Sequence, residues 1–246
     1  MYIYNMKRLF TLLSISLITL VGFSAKAQVK SYIGLYGGIS TAVSNFGQST
    51  YDNNQAGFAK RGATFGLDGA YYFYKKLAIG ATISFQDQGE LNSTDVGNLA
   101  TGYTSSFSAD NSSVTSNGRY HSLNILLGPQ YSFEYHQFIV DLRASAGIIK
   151  VTSTPDLTTT ITGVPEQTAT FEQKSASTTI MGYGGNVGIR WKFSDNWCLG
   201  IKGAYVGSQG YTVTNSGHTT ATTVGRLVTK QPVSEIQTTI GLTVNL

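Results

Sequence analysis

The chain has 246 residues and a formal net charge of +4, with 12% charged residues, about half the share carried by an ordinary soluble domain. Removing Lys7, Arg8 and Lys26 with an N-terminal leader lowers the 17 basic residues to 14, against 13 acidic ones. That balance excludes an electrostatic footprint for nucleic acid. The single cysteine, Cys198, excludes an intramolecular disulfide framework, and its place in a strand pattern reads as a packed, inert thiol.

The leader comes first. Met6-Lys7-Arg8 is basic, Leu9 to Ala25 is almost unbroken apolar sequence, and Ala25-Lys26-Ala27 is a small-x-small cleavage pattern. Residues 1–27 therefore read as a signal peptide and 28–246 as one β-domain, with Gln28 as the expected first mature residue. No run of 18 apolar residues follows, so no membrane helix is available. A chain this poor in charge that crosses a membrane without helices must close into a barrel, because only closure satisfies every backbone hydrogen bond in lipid.

In chain order, the first expected strand runs from Tyr32 to about Val43. Three hairpins follow: Phe65 to Phe85 turning at Lys75-Lys76, Leu123 to Ile148 turning near Glu134-Tyr135-His136, and Met181 to Tyr205 turning at Ser194-Asp195-Asn196. Val233 to Leu246 completes a set of eight. Between them lie long connections rich in Ser, Thr, Asn and Gly, at 44–62, 88–119, 152–177 and 212–232. Tight turns and long connections alternate strictly. In an up-and-down barrel that places every tight turn, and both termini, on one rim and every long loop on the other, as in outer-membrane barrels.

Within the strands, apolar residues recur with period two. Phe65, Leu67, Tyr71 and Phe73 oppose Thr64, Gly66, Asp68 and Ala70; Leu77, Ile79, Ile83 and Phe85 oppose Ala78, Gly80, Thr82 and Ser84. Leu123, Ile125, Leu127, Pro129 and Tyr131 oppose Ser122, Asn124, Gly128 and Gln130, and Ile236, Ile240, Leu242 and Val244 oppose Glu235, Gln237, Gly241 and Thr243. A secreted lipocalin-type barrel would show the same period with the apolar side inward. The polar face decides for the membrane. It is mostly Gly, Ala, Ser and Thr, suited to a narrow lumen, with little of the Lys and Glu that coat a sheet in water. Tyr71, Phe73, Phe133, Phe138, Trp191, Phe193 and Trp197 gather beside the tight turns, as a periplasmic aromatic girdle would. The expected fold is all-β, a closed eight-stranded antiparallel up-and-down transmembrane β-barrel.

Several stretches resemble a known family. Tyr32-Ile33-Gly34-Leu35-Tyr36-Gly37-Gly38, Gly69-Ala70-Tyr71-Tyr72-Phe73 before a hairpin, and the closing Ile240-Gly241-Leu242-Thr243-Val244-Asn245-Leu246 look like the outer-membrane β-barrel domain of OmpA- and OmpX-like proteins. The resemblance covers residues 29–246 and implies a Gram-negative outer membrane, with lipid and lipopolysaccharide around the wall. It also implies a last strand that the barrel-assembly machinery reads. Two departures stand out: Leu246 replaces the usual final aromatic, and with the sequence stopping at the eighth strand no peptidoglycan-binding domain is expected.

Candidate sites follow from the assigned faces. Asp68, Asp141, Arg143, Arg190, Lys202 and Glu235 lie on inner faces, with Lys192 near the periplasmic rim. Acids and bases there should pair, because an unpaired charge in so narrow an interior is expensive. A side-chain-filled plug is favoured over a gate that opens a narrow channel, since eight strands enclose only enough room for their own side chains. For catalysis only His121, His136 and His218 are available. His121-Ser122 sits near the outer rim with no orienting carboxylate that the sequence can place, so no catalytic residue, metal site or cofactor is expected. A lipid-modifying enzyme stays an alternative. Gly182-Tyr183-Gly184-Gly185 lies in a strand with no helix after it, which speaks against a phosphate loop. Pro129 should cause a bulge or a local break. Leu157 to Val164 and Gly217 to Val228 are Thr-rich with partial alternation. They could rise above the membrane as hairpins whose edges engage an extracellular protein partner; plain hydrophilic loops are the alternative.

Overall fold

The computed structural model describes residues 29–164, 167–213, 215–218 and 230–246. The signal-peptide segment, and most of the stretch from Gly217 to Val228, lie outside the described residues. Eight strands form a closed antiparallel barrel: β1 (Tyr32–Ala42), β2 (Arg61–Tyr74), β3 (Leu77–Asp87), β5 (His121–Tyr135), β6 (Phe138–Ser153), β9 (Thr178–Lys192), β10 (Trp197–Ser208) and β12 (Ser234–Asn245). Around the barrel the order is β1-β12-β10-β9-β6-β5-β3-β2, with β2 pairing back onto β1. The three hairpins turn where the sequence places them, with Lys75 and His136 in positive-φ conformations at two of the turns.

Period two controls which side each residue faces. Leu67, Ile79, Leu127 and Leu242 are 44%, 49%, 57% and 42% exposed on the outer wall. On the opposite faces of the same strands, Asp68, Ala78, Gln130 and Thr243 are buried inside. An apolar exterior around a polar interior inverts the soluble-barrel pattern and is the wall of a barrel that crosses a bilayer. Pro129 interrupts pairing with β6: the ladder stops after Leu127 and resumes at Gln130 in the same register. The result is a local break and no bulge there.

The long connections contain more structure than their composition suggests. α1 (Ser44–Gly47) follows β1, and α2 (Ser93–Phe107) occupies the second connection. Four further strands, β4 (Asn111–Asn117), β7 (Asp156–Val164), β8 (Gln167–Gln173) and β11 (Asn215–His218), form a second sheet in the order β11-β8-β7-β4. Each is joined to a barrel strand by a short link: β4 to β5, β6 to β7, β8 to β9 and β10 to β11. Their barrel strands stand in the same sequence, β10-β9-β6-β5. Half of the barrel wall therefore continues beyond the rim as a raised sheet.

α2 packs against that half-wall. Asn92 and Asp95 form a reciprocal capping box at its start, with Asp95 N donating to the Asn92 side chain at 2.9 Å. Lys60 Nζ bonds Asp95 at 2.7 Å and ties the cap to the lead-in of β2. Leu99, Tyr103 and Phe107 fall on one helical stripe and meet Val114, Ile161 and Phe171 of the sheet. Tyr103 stacks on Phe171 with centroids 6.4 Å apart. On the other side Gly102 lets the Tyr51 ring lie directly on the helix backbone, where a Cβ would overlap it.

Candidate functional site

Inside the barrel, strands from all sides bring polar groups to one axis. The inner network starts from Arg143 on β6. Its Nη1 and Nη2 grip the two oxygens of Asp68 on β2 at 2.9 and 3.1 Å. Nε bonds Gln130 at 2.9 Å, and Nη2 also donates to Gly69 O at 3.1 Å. Room for the guanidinium comes from Gly80 on β3, where any Cβ would run into it. Lys202 on β10 adds a second cation to Asp68 at 2.9 Å and lies 4.6 Å from the Tyr36 ring centre.

Nearer the tight turns Arg190 on β9 holds Asp141 on β6, with Nε at 2.6 Å and Nη2 at 3.1 Å. Its guanidinium lies over the Tyr32 ring at 3.7 Å. Ser132 and Gln130 donate to the same carboxylate at 2.5 and 3.1 Å. Arg190 Nη1 has no partner among the described residues. Bidentate, charge-assisted pairing of this kind fixes geometry as well as energy.

Glu235 departs from the expected pairing of acids with bases. It is fully buried on β12, and no basic side chain bonds it among the described residues. Four neutral groups do: Ser40 at 2.9 Å, Gln88 at 2.5 Å, Asn124 at 2.9 Å and Gln237 at 2.8 Å. Two donors per oxygen fill the lone-pair sites of a carboxylate. Five of the six lumen charges thus form ion pairs, and the sixth sits in a separate neutral ring.

Each end is closed by apolar side chains. At the periplasm-type rim Val29, Tyr32, Ala70, Tyr72, Ala78 and Ile139 make a buried floor. Beneath it opens a polar recess of about 760 Å³, lined by Lys30, Glu134, His136, Lys192, Asp195 and Asn245 among others. Lys192 pairs with Glu134 there. At the other end the inward face is not small and polar as expected. Leu126, Ile149, Val151, Val206 and Val233 point inward and join Phe46, Phe58, Leu99, Tyr120, Tyr211 and Val213 in one apolar cluster across the mouth. Gly182 gives Ile149 the space to cross. The cap has no counterpart in the sequence reading because its pieces come from loops and strand ends that only the fold brings together.

The remaining candidates are dispersed. Tyr71, Phe73, Phe138, Trp191, Phe193 and Trp197 are exposed beside the tight turns, and Phe133 is half-buried against Tyr131. Cys198 is buried beside Asn245. The expected His121–Ser122 neighbours are split, because Ser122 points into the lumen while His121 lies outside against Phe85. Contrary to expectation, a carboxylate does reach His121. Asp87 lies 3.6 Å from Nε2, and Ser153 Oγ is 3.1 Å from Nδ1. The Ser153 hydroxyl, however, donates to Arg119 O at 2.8 Å. His121 Nδ1 must then donate to Ser153 Oγ, the reverse of what a general base does for its nucleophile. Arg119 also grips Asp87, at 3.1 to 3.2 Å. The group works as a clasp between β3, β5 and β6 at the register shift between His121 and Ser122.

No family model matches the chain, and no curated protein matches it. Among solved structures it is similar to Neisserial surface protein A, at 12% identity and a TM-score of 0.45, over 88% of this chain and 97% of that one. It is also similar to Ail, the attachment invasion locus protein of Yersinia pestis, at 12% identity and 0.42, over 89% of this chain and all of that one. The outer membrane protease OmpT from Escherichia coli follows at 9% and 0.37, over 92% and 99%. Likeness this distant transfers no role to particular residues.

Proposed function

We propose that the protein is an outer-membrane barrel whose sealed lumen makes it a stiff base, and that it acts as a surface-interaction protein through the raised extracellular sheet. The observation that carries this reading is the continuation of the wall into β4, β7, β8 and β11, packed with α2 around an apolar core that also corks the mouth. A loop that needed only to connect two strands would not need fifteen helical residues and a buried core. Tight turns, the start of β1 and the end of β12 at one rim support a periplasmic side there and an extracellular raised sheet. The exposed rings beside the turns suit the headgroup level of the inner leaflet. The apolar belt would meet lipid and, in the outer leaflet, lipopolysaccharide. A cleaved leader and recognition of β12 by the barrel-assembly machinery belong to the same reading. No catalytic residue or cofactor is part of it.

The test replaces residues 156–173 by a short turn. The shortened barrel should still insert and show heat-dependent gel mobility, while cells displaying it lose adhesion to partner surfaces. Unchanged adhesion would remove the interaction reading. Surface proteolysis of the parent should cut only on the raised side.

A further inference from the structure

We propose that the outer wall between the start of β2 and the end of β6 is a docking surface for phosphate groups of a glycolipid in the outer leaflet, with Arg61 and Lys150 as its anchors. This rests on the orientation argued above, in which the raised sheet is extracellular. It adds which side of the barrel selects its lipid, and by what chemistry.

The first observation is two cations without partners. Arg61 is exposed and Lys150 half-buried, and strand alternation turns them outward with Phe65 and Ile148. Neither side chain makes an ion pair among the described residues. Asp87, the acid on the wall between them, is already held by Arg119 at 3.1 Å. It neither neutralises the two cations nor repels an incoming anion.

The second observation is their common height. Ala63 pairs with Asp87, Asp87 with His121, and His121 with Ser153 on β6. The other way round the barrel, Ala63 leads through Ile39, Thr238, Gly203 and Val187 to Leu142 on the same strand. The two arrivals differ because tilted strands make each ladder climb around the axis. A level line from the start of β2 therefore meets β6 between them, closer to Ser153, which is the end reached in fewer steps. Lys150 stands there, level with Arg61.

The third observation is what lies below and opposite. Toward the tight turns the same strands present Phe65, Phe85, Leu123 and Ile148 to lipid, with the Phe65 and Phe85 rings 5.2 Å apart. The cations thus sit just above an apolar wall, where the neighbour is a lipid headgroup and long basic side chains reach up to it. On the other side of the barrel the outward positions near that level are Thr41, Ile236, Gly207 and Thr179, all uncharged. Basic groups at a membrane surface attract anionic lipid, and phosphate accepts charge-assisted hydrogen bonds from both guanidinium and ammonium. The lipid is therefore held on one side of the wall.

The experiment uses the full chain in uncharged maltoside micelles and, as probe, bisphosphorylated lipid A, with the same lipid stripped of phosphate for comparison. The parent should bind the phosphorylated form at least about tenfold more tightly. Arg61→Gln combined with Lys150→Gln should erase that preference while leaving the melting temperature in lipid-free micelles unchanged, since no internal bond is lost. Lys30→Gln combined with Lys75→Gln, which removes equal charge at the opposite rim, should keep it. Added salt should weaken the parent's preference. The proposal falls if the parent binds both lipids equally, if the two double variants lose the same amount, or if millimolar inorganic phosphate displaces the lipid, because the cations would then hold a free ion. Loss of the preference with surface proteolysis still confined to the raised side would overturn this surface alone. Proteolysis at the tight turns instead would overturn the orientation as well.

Discussion

A buried charge is stable only with its partners. Among the described residues Asp141 is the one carboxylate on Arg190, which is 1% exposed and stacked on Tyr32. Asp141→Asn should therefore cost about 3–5 kcal/mol, the usual penalty for breaking a buried pair from one side. Joint replacement by Asp141→Leu and Arg190→Met should recover most of that, since both charges leave together. Denaturant titration of the refolded barrel in detergent micelles separates the two outcomes; equal loss in single and double variants would show that packing, not charge, carries the effect. Gly80→Ala should act on the neighbouring pair by pushing the Arg143 guanidinium off Asp68. At this scale the sequence is informative about orientation and poor about partners. Alternation alone puts Asp68, Asp141, Arg143, Arg190, Lys202 and Glu235 on inner faces. It cannot tell that Glu235 meets four neutral donors, because Ser40, Gln88 and Asn124 come from distant parts of the chain.

Among the elements, the barrel strands are legible because a two-residue period separates lipid from lumen at every step. α2 is harder to see, although its signals exist: Asn92 three residues before Asp95, then Val96, Leu99, Tyr103 and Phe107 at helical spacing. Gly97 and Gly102 hide it, each costing a helix about 1 kcal/mol relative to alanine, within a stretch of Ser, Thr and Asn that reads as loop. The helix is held by its cap and its tertiary contacts, not by propensity. Asn92→Ala should remove about 1 kcal/mol of capping. Leu99→Ala should cost about 2–5 kcal/mol of packing. Both should appear as faster amide exchange across residues 93–107 while the barrel amides stay protected. Exchange that rises equally in β2 and β12 would mean that the cap and barrel unfold as one unit.

For the whole molecule, lipid and lumen make opposite demands on neighbouring residues, and the wall answers both with one alternation. Leu127→Arg, at an outward position, should destabilise the inserted barrel by about 2–4 kcal/mol if that position lies near the bilayer midplane. An equal change at exposed Ser113 on the raised sheet should cost little, a contrast that folding titrations into vesicles would reveal. Closure is redundant along the axis. The ion-paired network blocks the middle, and the apolar cluster of Leu126, Ile149, Val206, Leu99 and Tyr120 blocks the outer mouth. No single substitution should then open a path. Planar-bilayer recordings of the parent, of Arg143→Ala, and of a chain with residues 93–107 replaced by a short linker should each lack a stable step. Even the combined variant, with guanidinium and helix both removed, should stay closed, because the Arg190–Asp141 pair and the buried floor around Tyr32, Tyr72 and Ile139 still interrupt the hydrated route. A lasting step in the parent would mean that all these barriers yield together in the native barrel, which would make the lumen a gate after all.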